Sequence, residues 1–276
     1  MDNLVPSSEL SSKKPIPSEE GVKVDESEIE RLSNQPCLTE PWVKKLEFEA
    51  QKNWDKFYKR NNDKFFKDRH WGKEEIISIC KDINFDKKLN YLEAGCGVGN
   101  MLFPMMDWFK HWNFYGFDFS KNAIQILQER AKEENVPVQT DVVDLTNMET
   151  PPFNGELMDL ATLIFVLSAI SPEKHGLAVQ NLGKLIKTGG TVVFRDYAAY
   201  DHAMMRFKKE NKISERFYKR ADWTRAYYFF KEEIEQLFTS AGFEIVNCLY
   251  YHSITENKQT NLKVNRVFLQ AIFKKI

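Results

Sequence analysis

The residues best suited to chemistry are gathered around one short glycine-rich stretch, Asn90 to Asn100, reading Asn-Tyr-Leu-Glu-Ala-Gly-Cys-Gly-Val-Gly-Asn. An apolar run ends at Glu93 and passes into glycines at 95, 97 and 99. Twenty-three residues after Gly95, a second apolar run ends at Asp118. A carboxylate at that strand tip can accept both hydroxyls of a ribose. Asp144, after a third run, can receive the exocyclic amine of adenine while Leu145 packs on the ring. Asp141 competes for that place if the strand register is shifted. Ile164 and Phe165, late in a fourth run, line the same expected cleft. Together these residues predict a site for a nucleoside-bearing cofactor. A dinucleotide fingerprint would read G-x-G-x-x-G with a pyrophosphate on the helix N-terminus. Here the third glycine comes one residue early, and Glu93 would repel a pyrophosphate but accept from a positively charged group. Both features argue against a dehydrogenase.

These residues need a scaffold of alternating strands and helices. The hydrophobic pattern predicts strands at 89–94, 112–118, 137–143, 157–165 and 191–196. Helices are expected at 99–109, 120–134 (capped by Ser120) and 172–187, the last ending on a glycine cap at Thr188-Gly189-Gly190. A helix at 231–241 and two long closing strands, Phe243 to Ile254 and Asn265 to Lys274, complete the pattern. Two final strands joined by a loop predict an antiparallel pair on an otherwise parallel sheet. The fold class is therefore α/β.

Three segments flank that core. Residues 1–38 are Ser-, Pro- and acid-rich and read as a disordered tail. Residues 39–82 read as a helical cap, with Thr39 and Pro41 opening a helix that continues over 42–60 and a short helix near 73–81. Residues 83–276 form the core, interrupted by a charged, aromatic insertion at 198–228. Residues 44–73 hold ten Lys or Arg against five acidic residues, and residues 206–225 hold eight against three. Interleaved with Trp42, Trp54, Phe65, Phe66, Trp71, Phe217 and Trp223, these blocks suit a polyanion with exposed bases. The net charge of −1 speaks against a uniformly basic nucleic-acid wrapper. Cys37, Cys80, Cys96 and Cys248 match no zinc or CxxC spacing, so no metal is expected and a reducing intracellular compartment is. The N-terminal stretch lacks the apolar core of a secretory signal, and no run has transmembrane length.

The series LEAGCGVGN, FDFS, VDLT and LIFVLSAISPEK resembles class I S-adenosylmethionine-dependent methyltransferases. With AQKNWDKFYKRN, FFKDRHW and VVFRDYAAYDHAMMRF added, the chain resembles the eukaryotic tRNA N3-methylcytidine methyltransferase family. Within it, the resemblance is to the short branch acting on serine tRNAs, and it spans roughly residues 47–275. It implies a Rossmann-like, mostly parallel seven-stranded sheet with an antiparallel last strand, plus RNA-binding elements in the cap and the insertion. It also implies S-adenosylmethionine as cofactor and methyl transfer to cytidine N3 in the anticodon loop. Tyr58 and Trp54 would close over the cofactor, Gly95 would contact its methionine part, Asp118 its ribose, and Asp144 with Leu145 its adenine; Glu93 and Gly97 would belong to the same cofactor site, and Ile164 would line the cleft. Asp196, at the end of the fifth strand, is expected to face the reacting base as a catalytic carboxylate or else to pair with Arg195. Asp68, Arg69 and His70 are the expected acceptor-side residues, with His202 and Arg206 shaping the same pocket and Arg266 structural. Serine tRNA and seryl-tRNA synthetase are the implied partners, and the cytoplasm and nucleus the implied locations. A methyltransferase for another RNA, a small molecule or a protein is the enzymatic alternative. A non-catalytic RNA-binding subunit is the alternative of another class.

Overall fold

Strand and helix alternate because short, continuously apolar runs, buried on both faces, are separated by segments whose apolar residues recur every third or fourth position. The computed structural model describes residues 10–12, 15–61, 73–257 and 262–276. The N-terminal part carries β1 (Leu10–Ser12), β2 (Ile16–Ser18), α1 (Glu26–Ser33), α2 (Glu40–Phe48), α3 (Ala50–Asn61) and α4 (Lys73–Ile79). The core follows as β3 (Asn90–Ala94), α5 (Leu102–Trp108), β4 (Asn113–Asp118), α6 (Lys121–Glu133), β5 (Gln139–Val142), β6 (Met158–Ile164), α7 (His175–Gly183) and β7 (Ile186–Tyr197). Next come α8 (His202–Met205), β8 (Lys212–Ser214), β9 (Phe217–Lys219) and β10 (Arg225–Tyr227). The chain closes with α9 (Lys231–Ser240), β11 (Phe243–Asn257) and β12 (Leu262–Lys275).

Seven strands form the main sheet in the order β11-β12-β7-β6-β3-β4-β5, with β1 and β2 added along the outer side of β11. The pairs from β5 through β7 are parallel, while β12 runs antiparallel to both neighbours. The hairpin between β11 and β12 forces that reversal, because a short connection can only join antiparallel strands. Alternate strand residues feed two cores on opposite faces. Leu92, Leu163 and Phe194 pack with Val179, Leu182 and Phe238 on one side. Tyr91, Leu160 and Val193 pack with Leu102, Met105 and Leu127 on the other. The chain leaves β3 outward to β4 and β5, then returns to the other side of β3 through β6. Ligands of open α/β sheets bind at such a switch point, beyond the carboxyl ends of the strands. The glycine turn after β3 and the loop after β6 meet there.

Three expectations need correction. Residues 15–38 are not an unstructured tail: β2 pairs with β11, and α1 inserts Leu32, 2% exposed, among Met204, Tyr218, Ala226 and Tyr228. The Lys212 ammonium seals the contact by donating to the Leu32 carbonyl at 2.6 Å and the Ser33 carbonyl at 3.1 Å. An acid-rich composition hides a docking event that needs only one apolar anchor and backbone bonding. The helix expected over 42–60 breaks at Glu49, giving α2 and α3. The helix expected over 172–187 shrinks to His175–Gly183, and Gly189 and Gly190 lie inside β7. There the register against β6 shifts between Met158 and Leu160, and Gly189 takes φ +82° in the bulge. A Cβ on Gly190 would stand 2.8 Å from the Ile186 side chain and 2.9 Å from the Lys187 carbonyl, which explains the second glycine. The charged, aromatic insertion, for which no elements were expected, folds in part as a small antiparallel sheet, β10-β9-β8.

Leu32→Ala tests whether α1 is part of the fold. Truncating a fully buried leucine costs about 2–4 kcal/mol, which urea unfolding should read as a lowered midpoint with unchanged slope. An unaltered midpoint would show that α1 contributes nothing to stability.

Candidate active site

The turn after β3 is shaped by its glycines. Gly95 and Gly97 adopt φ +67° and +53°, a left-handed conformation that other residues adopt only with strain. Space excludes a side chain as well, since a Cβ on Gly95 would lie 2.3 Å from Val166 and one on Gly97 2.7 Å from the Tyr58 hydroxyl. The backbone is thereby left bare at the floor of the cleft. A cavity of ≈ 530 Å³ opens above it, lined by Trp54, Tyr58, Gly95, Asp118, Asp144, Leu145 and residues of the loop after β6. A smaller recess of ≈ 60 Å³ continues beside Glu93, Gly97, Asn100 and Ile164.

Asp118 is the anchor of the cleft. Its buried carboxylate accepts from the Gly97 N–H and the Ser120 N–H, both at 2.9 Å. Burial pushes its pKa up to about 6 against the pull of those hydrogen bonds. The lone pairs left over suit two vicinal hydroxyls. Asp144 is exposed at the rim, where one carboxylate oxygen takes the Thr146 N–H and hydroxyl, both at 2.8 Å. That turn leaves the second oxygen for a ligand. Asp144 and Leu145 line the cavity, whereas Asp141 instead accepts from the Val142 N–H, so the register is the one that favours Asp144.

Sequence reasoning missed Asp55. On α3, its carboxylate accepts from the Ser120 hydroxyl at 2.6 Å and the Asn122 N–H at 3.2 Å. Gln51, one turn earlier, donates to the Phe119 carbonyl at 2.6 Å. Ser120 accepts in turn from the Ala123 N–H, as a helix cap should. The α3 helix therefore grips the segment that carries Asp118, while Trp54 and Tyr58, stacked at 5.7 Å, face the cleft from the same helix. The spacing of four between Gln51 and Asp55 was the available signal, because it puts two polar groups on one helix face.

A second missed group forms the opposite wall. Glu47, at the end of α2, binds Arg225 of β10, Lys174 and the Ser171 hydroxyl. Arg225 also donates to Ser171 at 2.8 Å and to the Ala169 carbonyl at 3.2 Å. Burial works to raise the Glu47 pKa, but the Arg225 charge and the hydrogen bonds overcome it and bring it to about 2. Phe48, beside Glu47 on the same wall, is 90% exposed.

Asp196, the expected catalytic carboxylate, is turned into the interior of the fold. It is 0% exposed and is not among the residues lining the cleft. Its carboxylate accepts from the Ser168 N–H and the Tyr197 N–H, each at 2.9 Å. Burial raises its pKa to about 6. Nor does it pair with Arg195, which points to the other face of β7 and stacks over Phe268 at 5.4 Å. The loop that Asp196 holds carries Val166 and Ala169, both on the cavity wall. Arg266 is structural as expected, fastened to the buried Asp201 carboxylate at 2.9 and 3.0 Å. Asp68, Arg69 and His70 lie outside the described residues. Among the described residues no cluster of three or more His, Cys, Asp or Glu is placed to hold a metal ion.

A family model described as a methyltransferase domain matches residues 51–247. The tRNA N(3)-cytidine methyltransferase METTL6 of Homo sapiens is 43% identical over 260 residues, covering 92% of this chain and 90% of that protein. The tRNA N(3)-methylcytidine methyltransferase trm141 of Schizosaccharomyces pombe is 38% identical, covering 89% of this chain and 100% of that one. Among solved structures, an S-adenosylmethionine-dependent methyltransferase from Anabaena variabilis superposes with a TM-score of 0.60 at 17% identity, covering 82% of this chain and 95% of that one. The cleft fits S-adenosylmethionine: the bare glycine floor would be filled by a Cβ, Asp118 offers acceptors to ribose hydroxyls, and Asp144 offers one to adenine.

Ribose hydroxyls donate to the ionised form of Asp118. Affinity for S-adenosylhomocysteine should therefore be full above pH 6 and fall by up to about tenfold per unit below it. Calorimetric titrations between pH 5 and 8 would measure this, with Asp118→Asn weaker and flat over the range. An Asp118→Asn profile as steep as the parent's would assign the dependence elsewhere.

Proposed function

We propose that this chain, which belongs to the family of tRNA N(3)-cytidine methyltransferases, methylates N3 of a cytidine in the anticodon loop of serine tRNA. The observation that carries the reading is a cleft with two unlike walls. One wall, with Asp118 and Asp144, suits a nucleoside cofactor. The other, with the exposed Phe48 and the half-exposed Lys174, suits a base and its phosphate backbone.

S-adenosylmethionine supplies an electrophilic methyl group on a sulfonium centre. The chain's part is alignment. Asp118 orients the ribose, Asp144 and Leu145 orient the adenine, and Glu93 offers negative charge toward the methionine end from the adjoining recess. Cytosine N3 carries a free lone pair, so no base has to remove a proton first. It also lies on the Watson-Crick edge, so the nucleotide must be unpaired or flipped out to react. Holding the two reacting groups in line then accounts for much of the acceleration. Positive charge grows on the base as the bond forms, and carboxylates near the cleft favour it electrostatically. Asp196 acts in this scheme as a positioning residue, through its bond to the Ser168 N–H in the loop after β6. Arg69 is assigned to a phosphate or the cytosine O2, His70 to the base or ribose, and Asp68 to the same acceptor element. Seryl-tRNA synthetase is the proposed partner in tRNA recognition.

Nucleoside mass spectrometry after incubation with S-adenosylmethionine and tRNA, with and without the synthetase, tests the function. N3-methylcytidine should appear, and more of it with the synthetase; none above control, with S-adenosylhomocysteine still bound, would overturn the reading. Asp196→Asn sets an amide N–H against one of two N–H donors. Turnover should drop about 10- to 100-fold through misplacement of the loop, with cofactor affinity retained. Unchanged turnover would remove Asp196 from any positioning role.

A further inference from the structure

The turn joining β9 to β10 holds a tryptophan where glycine would be at ease. Trp223 takes φ +68°; a bulky residue in that region is strained, and such outliers concentrate at functional sites. The turn is closed without the help of its ring. Trp223 donates its N–H to the Arg220 carbonyl at 3.1 Å, Arg220 donates to the Thr224 carbonyl at 2.8 Å, and the Asp222 carboxylate takes the Thr224 N–H and hydroxyl at 3.0 and 2.6 Å. Glycine would satisfy the same bonds with less strain.

The ring has a partner on a different element. Trp42, in the first turn of α2, lies 5.9 Å from Trp223 with the planes tilted by 32°. Were the pair there only to seal a seam, both rings would be buried; instead Trp42 is 43% and Trp223 42% exposed. Each carries a cation, with the Lys45 ammonium 5.0 Å from the Trp42 ring and the Lys219 ammonium 5.0 Å from the Trp223 ring. The pair is also tied to the cleft. The buried Asn53 amide donates to the Trp223 carbonyl at 3.3 Å, and the next residue, Trp54, lines the cavity. Arg225, two residues beyond Trp223, lines it too, as do Glu47 and Phe48 at the far end of α2.

We propose that Trp42 and Trp223 form a stacking platform for an unpaired nucleobase of the RNA substrate, outside the cofactor cleft, with Lys45 and Lys219 set against the flanking phosphates. The proposal rests on the tRNA reading above and adds to it a second base-binding site. Aromatic faces accept any base, and lysines beside them supply the charge that tracks a single-stranded backbone. The same lysines repel a cationic or methyl-lysine peptide, the other common ligand of paired tryptophans. One exposed base held here, while its neighbour enters the cleft, would fix the register of the loop on the enzyme.

Trp223→Gly in the full chain removes the ring and suits the left-handed backbone, so the fold should survive, as a thermal melt would verify. Loss of one base–aromatic stack should raise the KM for tRNA about tenfold. Affinity for S-adenosylhomocysteine should stay within twofold, and Trp223→Phe should recover part of the loss. A single-stranded oligocytidylate titrated against tryptophan fluorescence should quench the parent and bind Trp223→Gly about tenfold more weakly. That measurement needs no methylation, so it stands even if N3-methylcytidine is never found. An active Trp223→Gly enzyme with parental KM and oligonucleotide affinity overturns the platform, and so does a loss confined to a trimethyl-lysine peptide.

Discussion

One carboxylate joins the parts of this protein that do not belong to its sheet. Glu47 ends α2, Arg225 opens β10 of the insertion, and Lys174 and Ser171 belong to the core segment after β6. Three donors converge on one half-buried anion, and the balance of charge over desolvation keeps it ionised down to pH values near 2. Removing one member of such a group leaves its partners desolvated and unpaired, a far larger penalty than the pair's own net contribution. The wall of the cleft opposite the cofactor exists because these three pieces are held at one point.

The cofactor side depends on the same cap through a second grip. Asp55 and Gln51 hold the backbone and the helix start beside Asp118, so α3 steadies the ribose carboxylate while presenting Trp54 and Tyr58 to the cleft. The break at Glu49 makes both grips available at once. A continuous helix would keep Glu47 and Asp55 on one rigid axis; the break lets α2 turn toward the insertion while α3 lies along α6. Donor and acceptor sides are thus coupled through a two-helix cap laid over a core that distant methyltransferases share as a fold alone.

The core was largely readable before any coordinates. Short apolar runs and helical periods located the seven strands of the main sheet and the helices between the parallel ones, because local sequence dictates both signals. The glycine turn, Asp118 and Asp144 were readable for a related reason: a left-handed turn and a strand-end carboxylate are local events. The errors have a common cause. The helix after β6 was drawn too long because the bulge at Gly189 depends on pairing with β6. The N-terminal segment was taken as loose because Leu32 finds its pocket on β9, β10 and α8, far along the chain.

The sequence alone therefore determined the α/β order and the glycine turn, since both rest on short-range spacing, while the family showed as a resemblance running along nearly the whole chain. Tertiary structure alone decided which charged residues pair with one another. Glu47 and Arg225 are 178 residues apart, and Ser120 and Asp55 65 apart. No periodicity spans such distances; only the folded chain, by excluding water from those contacts, pairs them. The Gly95 to Gly99 turn was legible in the chain, but the wall that faces it was not.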